Sequence, residues 1–378
     1  MTRGKPLIQL ARPEVDDTDL RAVADVLRAG WLVQGPRVAE FERAVAARAH
    51  TTHAVAVANC TAALHLALLA LDVGPGDAVA VAAYSWPATA NVVALCGAEP
   101  VFVDIDPVTW TMDPDALAEA LAKNQRIKAV IPVHVFGGLA NLPGLQRAAE
   151  PRGIPLIEDA ACALGAVLDG RPAGGWGRVG CFSFHPRKVI TTGEGGMITT
   201  NDPALARRCR AFRNHGQDPD AASPDFILPG FNLRLTEFQG ALGVTQIAKL
   251  DRLLAGRREV AGWYAAALNA PGVVLPAALA SGSHTYQAYV ILLPGKVAER
   301  RSKIIAALKA AGIETQIGTH HLPLTRWCRQ RGGYGPGDFP VTDDVSRRAL
   351  ALPMHDGVGR TEVQRVADAL GEALRGAA

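Results

Sequence analysis

Seven short apolar runs recur through the first two-thirds of the chain. They are Ala54 to Ala58, Ala78 to Ala82, Val101 to Ile105, Ala129 to Val133, Leu156 to Glu158, Cys181 to Phe184 and Met197 to Thr200. Helix-forming stretches separate most of them, at Ala62–Leu71, Ala88–Cys96, Asp115–Lys123 and Leu142–Glu150. Strand–helix–strand repetition at this spacing requires a largely parallel sheet covered by helices. Gly74-Pro75-Gly76-Asp77 fits this plan, ending one helix and turning the chain into the next strand. After about Gly230 the pattern changes. Leu235–Leu254 predicts one long helix, Arg257–Leu268 another and Tyr286–Leu293 a strand. Ala298–Ala311 predicts a further helix and Thr361–Leu374 a terminal one. The expected fold class is α/β, with a large domain over residues 1–245 and a smaller α+β domain over 246–378. Gly332 to Asp338 (GGYGPGD) reads as a flexible surface loop.

Composition narrows the function classes. The chain has 378 residues, 49% of them hydrophobic, too many for a disordered protein. No apolar stretch approaches the roughly 20 residues that cross a bilayer. Met1 to Leu10 lacks the apolar core of a secretory signal, so a cytoplasmic protein with free thiols is expected. With 39 basic and 36 acidic side chains and no basic run, nucleic acid is not implied as a partner. The six cysteines include no C-x-x-C pair and the histidines no H-E-x-x-H, so no metal site is expected.

Four segments carry chemistry. Ala58-Asn59-Cys60-Thr61 sits between a strand and a helix, and a helix start presents unpaired N–H groups that suit a phosphate. The same residues read as an ordinary N-cap by Asn59 or Thr61. Glu158-Asp159 ends a buried strand, where open α/β sheets bind ligands and where a carboxylate can hold a cationic ring nitrogen; a helix-start carboxylate is the other reading. Phe182 to Lys188, followed by Thr191 to Gly196, sets a lysine between a buried strand and a glycine-rich turn. There an amine becomes a nucleophile once its neutral form is favoured. Tyr84 to Asn91 offers Trp86, either for stacking on a flat ring or for packing. Together the four supply what pyridoxal phosphate needs: a lysine for a Schiff base, an acid on the pyridinium nitrogen and a phosphate cradle.

The chain resembles the DegT/StrS group of sugar aminotransferases, within the fold-type I (aspartate aminotransferase-like) enzymes. The resemblance runs from about Ile8 to Leu374. Its most specific stretches are Gly30 to Pro36, Asn59 to Leu71, Val101 to Asp106, Glu158 to Ala161, Ser183 to Gly196 and Gly230 to Leu235. It implies that the large domain binds pyridoxal 5'-phosphate, which becomes pyridoxamine 5'-phosphate in the half-reaction. Lys188 matches the lysine that forms the Schiff base and shuttles the proton, and Asp159 the acid on the ring nitrogen. Trp86 matches the aromatic on the ring face. Cys60, Thr61 and Ser183 match phosphate ligands. Asn232 matches a phosphate ligand lent by a neighbouring subunit, which implies a homodimer with shared active sites. His185, Glu194, His320 and His321 lie in segments resembling the substrate pocket. Cys162 departs from the pattern: relatives often carry Gln or His there, bonding the cofactor's phenolic oxygen, and cysteine is a weak donor.

The implied reaction moves an amino group from glutamate or glutamine to a keto sugar, with Lys188 as acid and base in both halves. Burial and the neighbouring cationic cofactor are expected to lower the Lys188 pKa toward neutrality. Trp31-Leu32-Val33-Gln34-Gly35-Pro36 is more like relatives that aminate carbon 4 of a nucleotide-linked 4-keto-6-deoxy sugar. An inosose aminotransferase, a sugar dehydratase on the same fold and a non-catalytic sugar-binding regulator stay open as alternatives. The intact Lys188 argues against the dehydratase.

Overall fold

The computed structural model of the chain describes residues 6–377. Two helices, α1 (Asp17–Ala29) and α2 (Pro36–Ala49), lead into β1 (His53–Val57), α3 (Cys60–Ala70), β2 (Ala78–Ala82), β3 (Tyr84–Ser85) and α4 (Ala88–Leu95). Then come β4 (Glu99–Val103), α5 (Pro114–Lys123), β5 (Ile127–Ile131), α6 (Leu142–Ala149) and β6 (Ile157–Asp159). A small hairpin of β7 (Val167–Leu168) and β8 (Arg171–Pro172) precedes β9 (Val179–Ser183), β10 (Gly196–Thr200) and α7 (Pro203–Arg213). The remainder runs α8 (Glu237–Ala248), α9 (Leu250–Ala267), β11 (Tyr289–Leu292), α10 (Arg301–Ala310), β12 (His320–His321), α11 (Arg326–Gly332), α12 (Pro340–Arg348), β13 (Ala349–Leu352) and α13 (Arg360–Ala377).

One ladder runs β4-β2-β5 and another β6-β9-β10-β1. Parallel bridges Val130–Leu156 and Val133–Asp159 join them side by side. Within this sheet only β10 runs antiparallel to its neighbours. The expected mostly parallel sheet between helices is present, and each of the seven apolar runs lies on one of its strands. The runs are apolar throughout because helices cover both faces. Ala54, Ala56, Ala80, Val130 and Phe182 join one buried cluster; Val55, Val57, Val79, Ile131 and Cys181 join the cluster on the other face. Successive residues of a strand alternate between the two, as its period of two dictates.

A third buried cluster gathers Val260, Tyr264, Ile291, Leu308, Leu350 and Val366 around the antiparallel pair β11–β13. We propose 1–245 and 246–378 as the two units, with exchanges at the seam. Ile8 packs in the third cluster, and α9 begins in the first cluster through Leu250 and Leu254 before entering the third. The expected helix over Leu235–Leu254 is corrected: the break falls at Lys249, and residues 250–267 form one continuous helix. Neither glycine nor proline marks the break. Lys249 turns there to meet Asp19 at 2.6 Å and Asp16 at 3.0 Å, and Asp19 is fully buried.

Candidate active site

The carboxyl ends of the parallel strands lie along one edge, and the chemistry-bearing residues follow them. β1 runs through Ala58 into Asn59, whose extended backbone and side chain cap α3: Asn59 Oδ1 accepts from Ala62 N at 2.9 Å. The cap occupies one of the orphan donors. The N–H groups of Cys60 and Thr61 have no acceptor among the described residues. No acidic residue lies in the first turn to neutralise the positive end of the helix. Gly196 lets β10 press against this turn, since a Cβ there would lie 2.3 Å from the Asn59 carbonyl carbon and 2.7 Å from Cys60 N. The segment is thus an Asn59 cap whose first two helix N–H groups stay open. Ser183, half-buried, ends β9; its Oγ accepts from His185 N at 3.4 Å.

The acidic pair divides by strand alternation. Glu158 accepts on Oε1 from Trp176 N (2.7 Å) and Gly177 N (2.6 Å). On Oε2 it meets Gly174 N (2.8 Å) and His134 Nε2 (3.0 Å). Ala140 N donates to His134 Nδ1, so the proton of that neutral ring sits on Nε2 and is donated to Glu158. Glu158 thus anchors the 174–177 turn. Asp159 faces the site: its Oδ2 accepts from Thr89 Oγ1 at 2.9 Å and its Oδ1 from Ala161 N at 3.3 Å. Since Thr89 spends its proton on Asp159, Ser85 Oγ is the donor in the 3.0 Å Ser85–Thr89 bond. Burial pushes the Asp159 carboxyl above the usual carboxylate range, and Thr89, Ala161 and the Lys188 cation only partly offset that. A cation beside it would reverse the balance.

Lys188 ends a tight turn, its N–H donating to the His185 carbonyl at 2.8 Å. Its Nζ donates to Cys162 Sγ at 3.2 Å. The expected lowering of its pKa is not what the chain alone produces. Burial does press the ammonium down, but Cys162 at contact and the Asp159 carboxylate more than offset it, and the value lies above the ordinary lysine range. Cys60 borders the same space; burial pushes its thiol well up, so it stays protonated.

The other expected residues are placed unequally. Trp86 is exposed, and its ring lies 5.3 Å from that of His320, which strand pairing sets opposite Ser85. His321, the next residue of β12, turns to the other side. There its ring meets Phe339 and its Nε2 lies 3.0 Å from Asp343 Oδ1, away from Trp86, while burial lowers its pKa against the pull of that carboxylate. Burial lowers the His185 pKa, with Glu194 acting the other way. Glu194 is exposed. Asn232 is also exposed, yet its neighbour Leu233 accepts from Ala58 N at 2.9 Å, which sets this segment against the cradle strand. Thr89, Ser85 and His134 received no role from sequence. For Ser85 and Thr89 the local signal is two hydroxyls four residues apart on either side of Trp86, and their carboxylate partner lies 70 residues beyond Thr89.

A buried carboxylate, an inward lysine and an open helix start at the strand ends define a fold-type I pyridoxal phosphate enzyme. The residues fit the cofactor: free N–H groups suit its phosphate, and a buried carboxyl short of a cation suits its ring nitrogen. The profile of the DegT/DnrJ/EryC1/StrS aminotransferase family matches residues 13–371, and the chain belongs to that family. It is 37% identical to the GDP-perosamine synthase of Caulobacter vibrioides over 372 residues, covering 98% of this chain and 99% of that protein. Its structure is similar to a Streptococcus pneumoniae protein solved in a PLP-form, at a TM-score of 0.93 and 27% identity, covering 98% of this chain and 100% of that one. It is also similar to Helicobacter pylori PseC, an aminotransferase involved in pseudoaminic acid biosynthesis, at a TM-score of 0.91 and 28% identity, covering 98% and 100%. The chain is a pyridoxal phosphate-dependent aminotransferase. No helix among the described residues is long and apolar enough to cross a membrane.

Proposed function

We propose that this aminotransferase moves an amino group from glutamate or glutamine to carbon 4 of a nucleotide-linked 4-keto-6-deoxy sugar, as a cytoplasmic homodimer. The observation that carries the chemistry is the convergence of Lys188, Asp159, Cys60 and Cys162, with Lys188 Nζ 3.2 Å from Cys162 Sγ and all four close enough to act on one another's charge. In this reading Cys60, Thr61 and Ser183 hold the cofactor's phosphate, Asp159 its ring nitrogen and Trp86 its ring face. Bound there, pyridoxal phosphate supplies an electron sink for the carbanion of the amino donor. Lys188 Nζ would take the proton from the donor's α-carbon and pass it to the cofactor's aldehyde carbon in the first half, and would carry a proton from that carbon to the sugar carbon being aminated in the second, so it must cycle between amine and ammonium. Asp159, relayed to Ser85 through Thr89, keeps its charge aimed at one point without reorganising. His320 beside Trp86, with His185 and Glu194 across the turn, lines the sugar side.

Two features support the substrate and the assembly. The Caulobacter relative's name joins a nucleoside diphosphate to an amino sugar. Exposed Trp31, Leu32, Val33, Phe226, Ile227 and Phe231 leave apolar surface for a second copy, and Phe231 adjoins Asn232. The test is the visible spectrum of the protein mixed with pyridoxal phosphate. A yellow band is expected, bleached by glutamate or glutamine and restored by a 4-keto-6-deoxy nucleotide sugar. No band would overturn the cofactor assignment. A band restored only by a 3-keto sugar or an inosose would overturn the substrate.

A further inference from the structure

Cys162 is held from behind by two segments remote in sequence. Thr285 Oγ1 donates to the Cys162 carbonyl at 2.7 Å, and Thr285 N donates to the Gly137 carbonyl at 3.0 Å. Thr285 is fully buried. Gly137 has φ +105°, and a Cβ there would lie 1.9 Å from Thr285 Oγ1 and 3.0 Å from the Cys162 carbonyl oxygen. Three places in the chain, at 137, 162 and 285, thus interlock around one cysteine. Its sulfur meets Lys188 Nζ at 3.2 Å, and among the described residues no other side chain hydrogen-bonds that amine.

Cys60, from α3, is a buried protonated thiol, and Asp159, from β6, is engaged by Thr89 and Ala161. His185 and Arg187 lie on the lysine's own turn, with Glu194 acting on His185 from the far side. Cys162 is the group in contact.

We infer that Cys162 is a positioning residue for Lys188: its sulfur holds the amine in place and sets the pH at which that amine becomes free to react. The inference rests on Lys188 being the reactive lysine. An acceptor at hydrogen-bond distance favours the protonated amine, and both capture of the cofactor's carbonyl carbon and removal of the donor's proton need the neutral one. Cys162 therefore trades reactivity at low pH for a fixed aim.

The test follows the rate at which cofactor-free protein captures pyridoxal phosphate, read as growth of the visible band from neutral to alkaline pH. Removing the acceptor with C162A should move the midpoint down by about one pH unit. C162S keeps an oxygen acceptor and should move it less, in the same direction. The acid limb of kcat should follow, with the KM for the amino donor unchanged. Should C162A fail to fold, C162S carries the test alone. Coincident midpoints in the wild type and a folded variant would overturn the inference. A weaker band at an unmoved midpoint would also overturn it, leaving Cys162 a cofactor contact only. A band that persists in Lys188→Ala would instead overturn the lysine assignment, and the inference with it.

Discussion

At the scale of single residues, Glu158 and Asp159 should respond oppositely to loss of charge. Glu158→Gln places an amide donor against backbone N–H groups that now find a carboxylate, at a fully buried position. The expected loss is about 3 kcal/mol, the scale of buried donors left unsatisfied, read by urea denaturation. Asp159→Asn should raise the melting temperature of cofactor-free protein at neutral pH while abolishing transamination. The sign follows from burial: the folded carboxyl keeps its proton to higher pH than the unfolded one. Its contribution to stability therefore declines as pH rises from the ordinary carboxylate value through the raised folded one. The advantage of the Asn variant should shrink on acidification and vanish below the ordinary carboxylate range; calorimetry across pH checks it. No composition rule separates these two neighbours. Strand alternation separates them, and the partners that reveal which is which come from Thr89 and from 174–177.

At the scale of elements, the α8–α9 break is held by a cluster rather than by a helix stop signal. Asp19 accepts from Lys249 Nζ, Gln246 Nε2 (2.9 Å) and Thr245 Oγ1 (2.5 Å), and so docks α1 onto the break. Lys249→Met would leave a buried carboxylate without its cation, at a cost of about 3 kcal/mol. Asp19→Asn added to it should recover much of that loss, and equilibrium unfolding of the four species measures the coupling. Recovery absent in the double variant would show that the break is set by packing alone. The predicted helices over 62–71, 88–96, 115–123 and 142–150 survive in the fold nearly unchanged because their ends are locally encoded. Asn59, Asp113 and Asn141 cap three of them with side chains within three residues.

At the scale of the whole molecule, the proposed homodimer has Asn232 of one subunit serve the phosphate site of another. Lys188→Ala and Asn232→Ala subunits, each nearly inactive alone, should then regain activity when unfolded and refolded together. Hybrid dimers would carry one intact site. No gain on mixing, with dimers confirmed by sedimentation, would place Asn232 in its own subunit's site. The small unit bears on the site as well: β12 arrives from residue 320 to set His320 beside Trp86, and Gln316 reaches Arg187 at 3.5 Å.

The seven strands of the large sheet, their order of appearance, the covered sheet and the candidates Lys188, Asp159, Cys60 and Trp86 were determined by local sequence. Short-range chemistry writes them: period-two burial, helix caps, and functional residues just past strand ends. The short strands β3, β7, β8 and β12 and the β13 partner of β11 were not so determined. The helix break at Lys249, the split of Glu158 from Asp159, the turning away of His321 and the grip of Cys162 on Lys188 were decided by tertiary structure. Each depends on partners tens to hundreds of residues distant, brought within about 3 Å by packing, and a hydrogen bond at that range has no local signature in the chain.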